Sequence, residues 1–120
     1  MKENKKNIKR GEIYICNLPF EKNSSIQYGK RPVLVIQNDT GNYFSPTTLV
    51  IPLTKQLNKH DLPTHTRIIN KKLKNKISIA LCEQIRIIDK KELKKYVCTI
   101  SNQELLNIEK ALQINFGILK

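Results

Sequence analysis

The chain has 120 residues, enough for one domain with a real core and too few for two. Apolar residues make up 39% and charged residues 27%, an ordinary globular balance. No apolar run approaches the ~18 residues a membrane helix needs. Twenty-two Lys and Arg against ten Asp and Glu leave a net charge of +12, which favours a polyanion or an acidic protein as partner.

The basic start MKENKKNIKR leads into no hydrophobic signal region. The expectation is a cytoplasmic protein, with 1–8 as a basic extension and 9–120 as its one domain. Gly11 to Leu18 alternates, Ile13 and Ile15 on one face, Tyr14 and Cys16 on the other, which predicts a strand. Residues 19–30 are polar and turn-rich, a loop long enough to be functional. Pro32 to Gln37 is apolar on both faces and predicts a central strand, with proline tolerated at its first position. Asn38-Asp39-Thr40-Gly41 predicts an Asx-type turn, followed by one helical turn over Asn42 to Phe44. Thr47 to Leu53 is the next strand, where Pro52 predicts a bulge or an edge. A second loop covers 55–63, a strand Thr64 to Ile69, and a lysine-rich turn the low seventies. Ile77 to Ile87 is one long strand or two joined by a bend.

Two helices are expected after that. Asp89-Lys90-Lys91-Glu92 and Ser101-Asn102-Gln103-Glu104 each place a cap residue three before a glutamate, the capping-box spacing. In the second, Leu105, Ile108, Leu112 and Phe116 recur at helical spacing as a core-facing stripe, and Gly117 supplies the stop. The sum is an α+β domain, a small barrel-like sheet with a C-terminal helix laid across it.

The chemistry is narrowed by what the chain lacks. Cys16, Cys82 and Cys98 are odd in number and widely spaced, matching neither a disulfide framework nor a CxxC metal pair, and are expected as buried thiols. His60 and His65 have no ligand partners at zinc spacing. No GxxxxGK[ST], GxGxxG or GxSxG occurs, so no nucleotide cofactor or hydrolase elbow is indicated. Hydrolytic chemistry without metal or enzyme nucleophile suits one substrate, RNA, whose 2′-hydroxyl sits beside the phosphate it can attack. Such an enzyme must align the strand and stabilise charge growing on phosphorus. A guanidinium does the latter well, and Arg31 stands at the mouth of a rigid strand, held extended by Pro32. Thr54, where SPTTLVIPLT leaves its strand, offers a neutral donor. A lysine-rich codon bias accounts for Lys71, Lys72, Lys74 and Lys76 better than for Arg31 or Arg86.

Five blocks in order carry a resemblance: KRGEIYICNL, GKRPVLVIQNDTGNYFSPTTLVIPLT, LPTHTRI, LCEQIRIIDKKEL and the closing INFGIL. Together they make the chain resemble the MazF/PemK-type endoribonuclease toxins of bacterial toxin–antitoxin modules, from about Lys9 to Leu119. The resemblance implies an SH3-like barrel with a terminal helix, a homodimer, a bacterial cytoplasmic setting and no cofactor or metal. It implies cleavage of single-stranded RNA at short sequences, leaving a 2′,3′-cyclic phosphate and a 5′-hydroxyl. The family's catalytic arginine and threonine fall on Arg31 and Thr54. Its base-reading positions fall on Ser25, Gln27, Asn38, Glu83, Gln84 and Arg86. An acidic, partly disordered MazE-like antitoxin is the implied second partner. One position departs from the family: Ile26 stands where many members carry a glutamate assigned to nucleophile activation. Transient deprotonation of Arg31, a water, or Glu21 could take the 2′ proton instead, with Arg31 the preferred group. The alternatives are a same-fold gyrase poison and a noncatalytic RNA-binding barrel.

Overall fold

The computed structural model describes residues 7–55, 62–74 and 76–119. Of the expected basic extension 1–8, residues 1–6 lie outside that set, and Ile8 is buried against the sheet. Strand β1 (Glu12–Leu18) alternates as read: Ile13 enters one core, while Tyr14, Cys16 and Leu18 enter another. Strand β2 (Gly29–Val35) pairs with it antiparallel, Ile13 opposite Leu34 and Cys16 opposite Arg31. Leu34 joins the first core, and Val33 and Val35 join the second. Strand β3 (Thr47–Thr54) divides the same way, with Ile51 and Leu53 on one side and Val50 on the other. The continuous apolar runs are therefore central strands with a core on each face.

Helix α1 (Asp39–Phe44) bridges β2 and β3 and starts earlier than the single turn expected at Asn42, because the Asn38 side chain caps it by accepting from the Gly41 amide at 2.8 Å. Beyond β3, Ile77 to Ile87 resolves into two strands and a bend. Strand β6 (Arg86–Asp89) pairs with Thr47 to Val50, and strand β5 (Ile77–Leu81) pairs with Leu53 and Thr54. Pro52 makes neither a bulge nor an edge. It stays in register opposite Val33, and on its other side it falls where β3 changes partners from β6 to β5, a place where a missing N–H costs little. Strand β4 (His65–Ile69) lies outside β5.

The helix expected at Asp89 is a 3₁₀ turn over Lys90–Glu92, with no side-chain cap from Asp89. Its sequence runs on into Leu93-Lys94-Lys95-Tyr96-Val97-Cys98-Thr99, which forms strand β7 (Leu93–Thr99) against β1. The β-branched and aromatic residues of that segment, with Leu93 and Cys98 to bury, override the local capping signal. The second signal holds. Helix α2 (Asn102–Asn115) carries a complete capping box between Ser101 and Glu104. It buries Ile108 and Ala111, with Leu105 and Leu112 packed beside them, whereas Phe116 at the helix end is exposed.

The strand order is β4-β5-β3-β2-β1-β7, with β6 on β3. The sheet is antiparallel with one C-terminal helix, as expected, but it is open and not a closed barrel. Closure would need β4 and β7 to pair; instead α2 packs on β4, and the Ile69 amide at the end of β4 donates to Glu104 of α2 at 2.9 Å.

Candidate functional site

Arg31 and Thr54 come together at one end of the two central strands. The β2–β3 ladder begins at Val33 opposite Pro52. That register, carried two residues outward, points Arg31 and Thr54 toward each other, but the pairing itself stops at Val33 and Pro52. Beyond the two prolines the strands part, and the guanidinium fills the gap: Arg31 Nη1 donates to the Leu53 carbonyl at 3.4 Å and Nε to the Tyr28 carbonyl at 2.8 Å. A guanidinium has five N–H donors, so two carbonyl contacts aim it without exhausting it. Gly29 supplies the turn into this strand with a φ of +89°, a conformation closed to most side chains. Burial lowers the pKa of Arg31 below its ordinary value, opposed by the nearby Tyr28. Thr54 is buried at 4% exposure.

Both residues line one open groove of about 1030 Å³. Its other cations come from four parts of the chain: Lys30 on β2, Lys55 after β3, Lys72 and Lys74 in the turn before β5, and Lys94 and Lys95 on β7. Among the described residues no Asp or Glu lines it. Seven positive charges on its described walls focus a field that favours polyanions. Lys72 and Lys74, which composition alone would explain, therefore belong to the site's wall.

The loop before β2 ties this pair to the bend between β5 and β6. The Gln27 amide donates to Gln84 Oε1 at 2.9 Å, and Arg86 Nη1 donates to the Gln27 carbonyl at 3.0 Å. The next residue, Tyr28, is the one whose carbonyl holds Arg31. Gln27, Gln84, Arg86 and Arg31 thus form one connected set across β3. Glu83, beside Gln84 in the bend, accepts from Thr64 Oγ1 at 2.9 Å and pairs with His65 Nε2 at 3.1 Å. Partial burial alone would raise its pKa; its backbone hydrogen bond and those from His65 and Thr64 outweigh that and hold it below the ordinary carboxylate value. Ser25 lies exposed on the same loop. Asn38 stands apart, at the opposite end of β2 from Arg31, with its amide oxygen in the α1 cap. Ile26 is exposed on the loop, as is Glu21. The loop 55–63 falls largely outside the described residues, His60 with it.

Sequence reasoning passed over the aromatic pair of that loop. Phe20 and Tyr28 pack edge to face with ring centroids 4.8 Å apart, and both are exposed. Phe20 lines a separate depression with Arg86, Asp89 and Glu92, and the place of both rings in a polar loop was the available signal. All three thiols are buried and free, and burial pushes each pKa up, Cys82 to about 12, so none is a poised nucleophile.

A guanidinium, a hydroxyl and six lysines line one groove, a lining suited to an anionic ligand. Residues 9–116 match the family described as PemK-like, MazF-like toxin of type II toxin–antitoxin systems. The chain is 44% identical over 112 residues to Endoribonuclease MazF of Staphylococcus epidermidis, covering 92% of each chain. Among solved structures it is similar to MazF from Deinococcus radiodurans, with a TM-score of 0.78, 16% identity and coverage of 93% of this chain and 98% of that one. A mycobacterial endoribonuclease in complex with its cognate antitoxin matches with a TM-score of 0.77, 22% identity and coverage of 94% and 98%. The chain belongs to the PemK-like, MazF-like toxin family.

Proposed function

We propose that this family member is an endoribonuclease that cuts single-stranded RNA, mRNA included, at short sequences and without a metal. The 2′-oxygen of the scissile nucleotide attacks its own phosphorus, forming the P–O2′ bond as the P–O5′ bond breaks. The products are a 2′,3′-cyclic phosphate and a 5′-hydroxyl, the latter formed when the leaving oxygen takes up a proton. Arg31 grips the phosphate as charge grows on its oxygens, and Thr54 donates to one of them. Arg31, transiently deprotonated, takes the 2′ proton. The guanidinium so formed holds the phosphate and returns a proton to the leaving 5′ oxygen; burial lowers its pKa, the direction this needs. Gln27, Gln84, Arg86 and Glu83 read the splayed bases, with Ser25 at the loop rim. Asn38, whose amide oxygen caps α1 at the far end of β2, completes the proposed base-reading set.

The observation that carries this reading is that Arg31 and Thr54 line one groove whose described walls carry cations and no carboxylate. The same basic surface suits an acidic, partly disordered antitoxin that folds on binding, and we extend the proposal to a cytoplasmic homodimer held in check that way. The deciding experiment incubates the protein in EDTA with RNA and with DNA of the same sequence, then sequences the RNA ends. Cutting of RNA alone, abolished by a 2′-deoxy substitution at the scissile nucleotide, is the expected result. An unchanged rate on the 2′-deoxy substrate would refute the attack by ribose, and inhibition of gyrase with RNA intact would favour the poison.

A further inference from the structure

Glu83 is held from behind by two buried side chains. Thr64 is 9% exposed and places its hydroxyl on Oε1 at 2.9 Å. The His65 side chain is 4% exposed and meets Oε2 at 3.1 Å, whereas the Glu83 side chain is 29% exposed. Neither partner belongs to the groove around Arg31. Both lie at the start of β4, and the Cys82 amide donating to the Thr64 carbonyl at 3.0 Å locks that start to the bend bearing Glu83.

A carboxylate offers about four lone-pair sites, two on each oxygen. Thr64 occupies one on Oε1, and His65, donating through a protonated Nε2, occupies one on Oε2. The residue's own backbone N–H takes a third, which leaves one site, on a group that can only accept. We propose that Thr64 and His65 are positioning residues that present Glu83 as a rigid acceptor, selecting a nucleobase with an exocyclic amino group and rejecting uracil. Adenine, cytosine and guanine each bring an amino donor to the Watson–Crick edge. Uracil brings two carbonyls flanking a single N–H, so a fixed carboxylate meets like charge there. This inference rests on the RNA-cleaving reading above.

The test is to cut a randomised RNA library with wild type and variants and sequence the ends. One position of the wild-type site is expected to exclude uracil. Glu83→Gln, which turns one oxygen into a donor, should admit uracil there. Thr64→Val, close in shape but without the hydroxyl, should weaken the discrimination at that position alone by roughly tenfold, and Thr64→Ser should restore it. A general loss of packing would lower cutting at every site and leave the profile as it was. If wild type cuts but Glu83→Gln and Thr64→Val both keep its base profile, the positioning role is wrong and the cleavage reading stands. If wild type leaves all RNA intact, both fall.

Discussion

Arg31 has an ordinary residue's surroundings arranged to an unusual end. Its strand neighbour Pro32 removes the helical conformation, Gly29 turns the chain in, and two backbone carbonyls take one N–H each. None of these contacts neutralises the charge, since a carbonyl is a dipole and not an anion. The guanidinium is therefore aimed and still fully available to a phosphate. A lysine could supply the charge but not the fork that reaches Tyr28 and Leu53 at once and keeps donors to spare. Arg31→Lys is expected to cut RNA at least a hundredfold more slowly than wild type, in the range for loss of a transition-state donor, while the melting temperature changes little. Single-turnover cleavage and a thermal melt together check this. Arg31 stands out in the sequence because Pro32 holds it extended before an apolar run, yet only the family resemblance singles it out. Its pairing with Thr54 likewise came from the resemblance, because local sequence does not show how strands separated by a helix meet. Lys94 and Lys95 were still less visible, because they follow a capping spacing that the structure does not use.

At the scale of elements, the two capping-box spacings show how far local signals reach. Ser101 and Glu104 make the reciprocal bonds, and Glu104 uses its second oxygen on the Ile69 amide, so one side chain starts α2 and ties it to β4. Asp89 and Glu92 have the same spacing and make no box, because the segment after them is needed as a strand against β1. A spacing of four residues states a local preference; burial of Leu93 and Cys98 decides between preferences. Ser101→Ala should cost about 1 kcal/mol of stability, typical of a lost N-cap, read from urea unfolding. A cost indistinguishable from zero would mean α2 is held by Ile108 and Ala111 alone. The bend at 82–85 follows the same logic. No residue there announces a break, but β3 has two partners on one side, and the chain must step from one to the other.

For the whole molecule, the groove is a property of assembly. Its cations come from β2, the end of β3, the turn before β5, and β7, so no window of sequence contains it. The net charge of +12 pointed to a polyanion without saying where it would lie. The fold class was legible in outline, since alternation marked the strands and the stripe marked α2. Closure was not, because whether two terminal strands meet depends on where the helix packs. If Lys72 and Lys74 line the path of the RNA, replacing both by alanine on a noncleaving Arg31→Ala background should flatten the salt dependence of RNA binding. The slope should change by roughly 0.7 for each phosphate that the protein no longer neutralises. An unchanged slope across a salt titration would place those lysines off the path.

An open sheet also has a rim, and rims are where chains stick to one another. Strand β7 hydrogen-bonds to β1 on one side only among the described residues, and two register shifts interrupt that pairing. Such irregularity, with Lys94 and Lys95 standing in the middle of the strand, makes a poor template for a further strand from another molecule. The charges that wall the groove thus double as gatekeepers against self-association, so a variant stripped of them would be expected to lose colloidal stability.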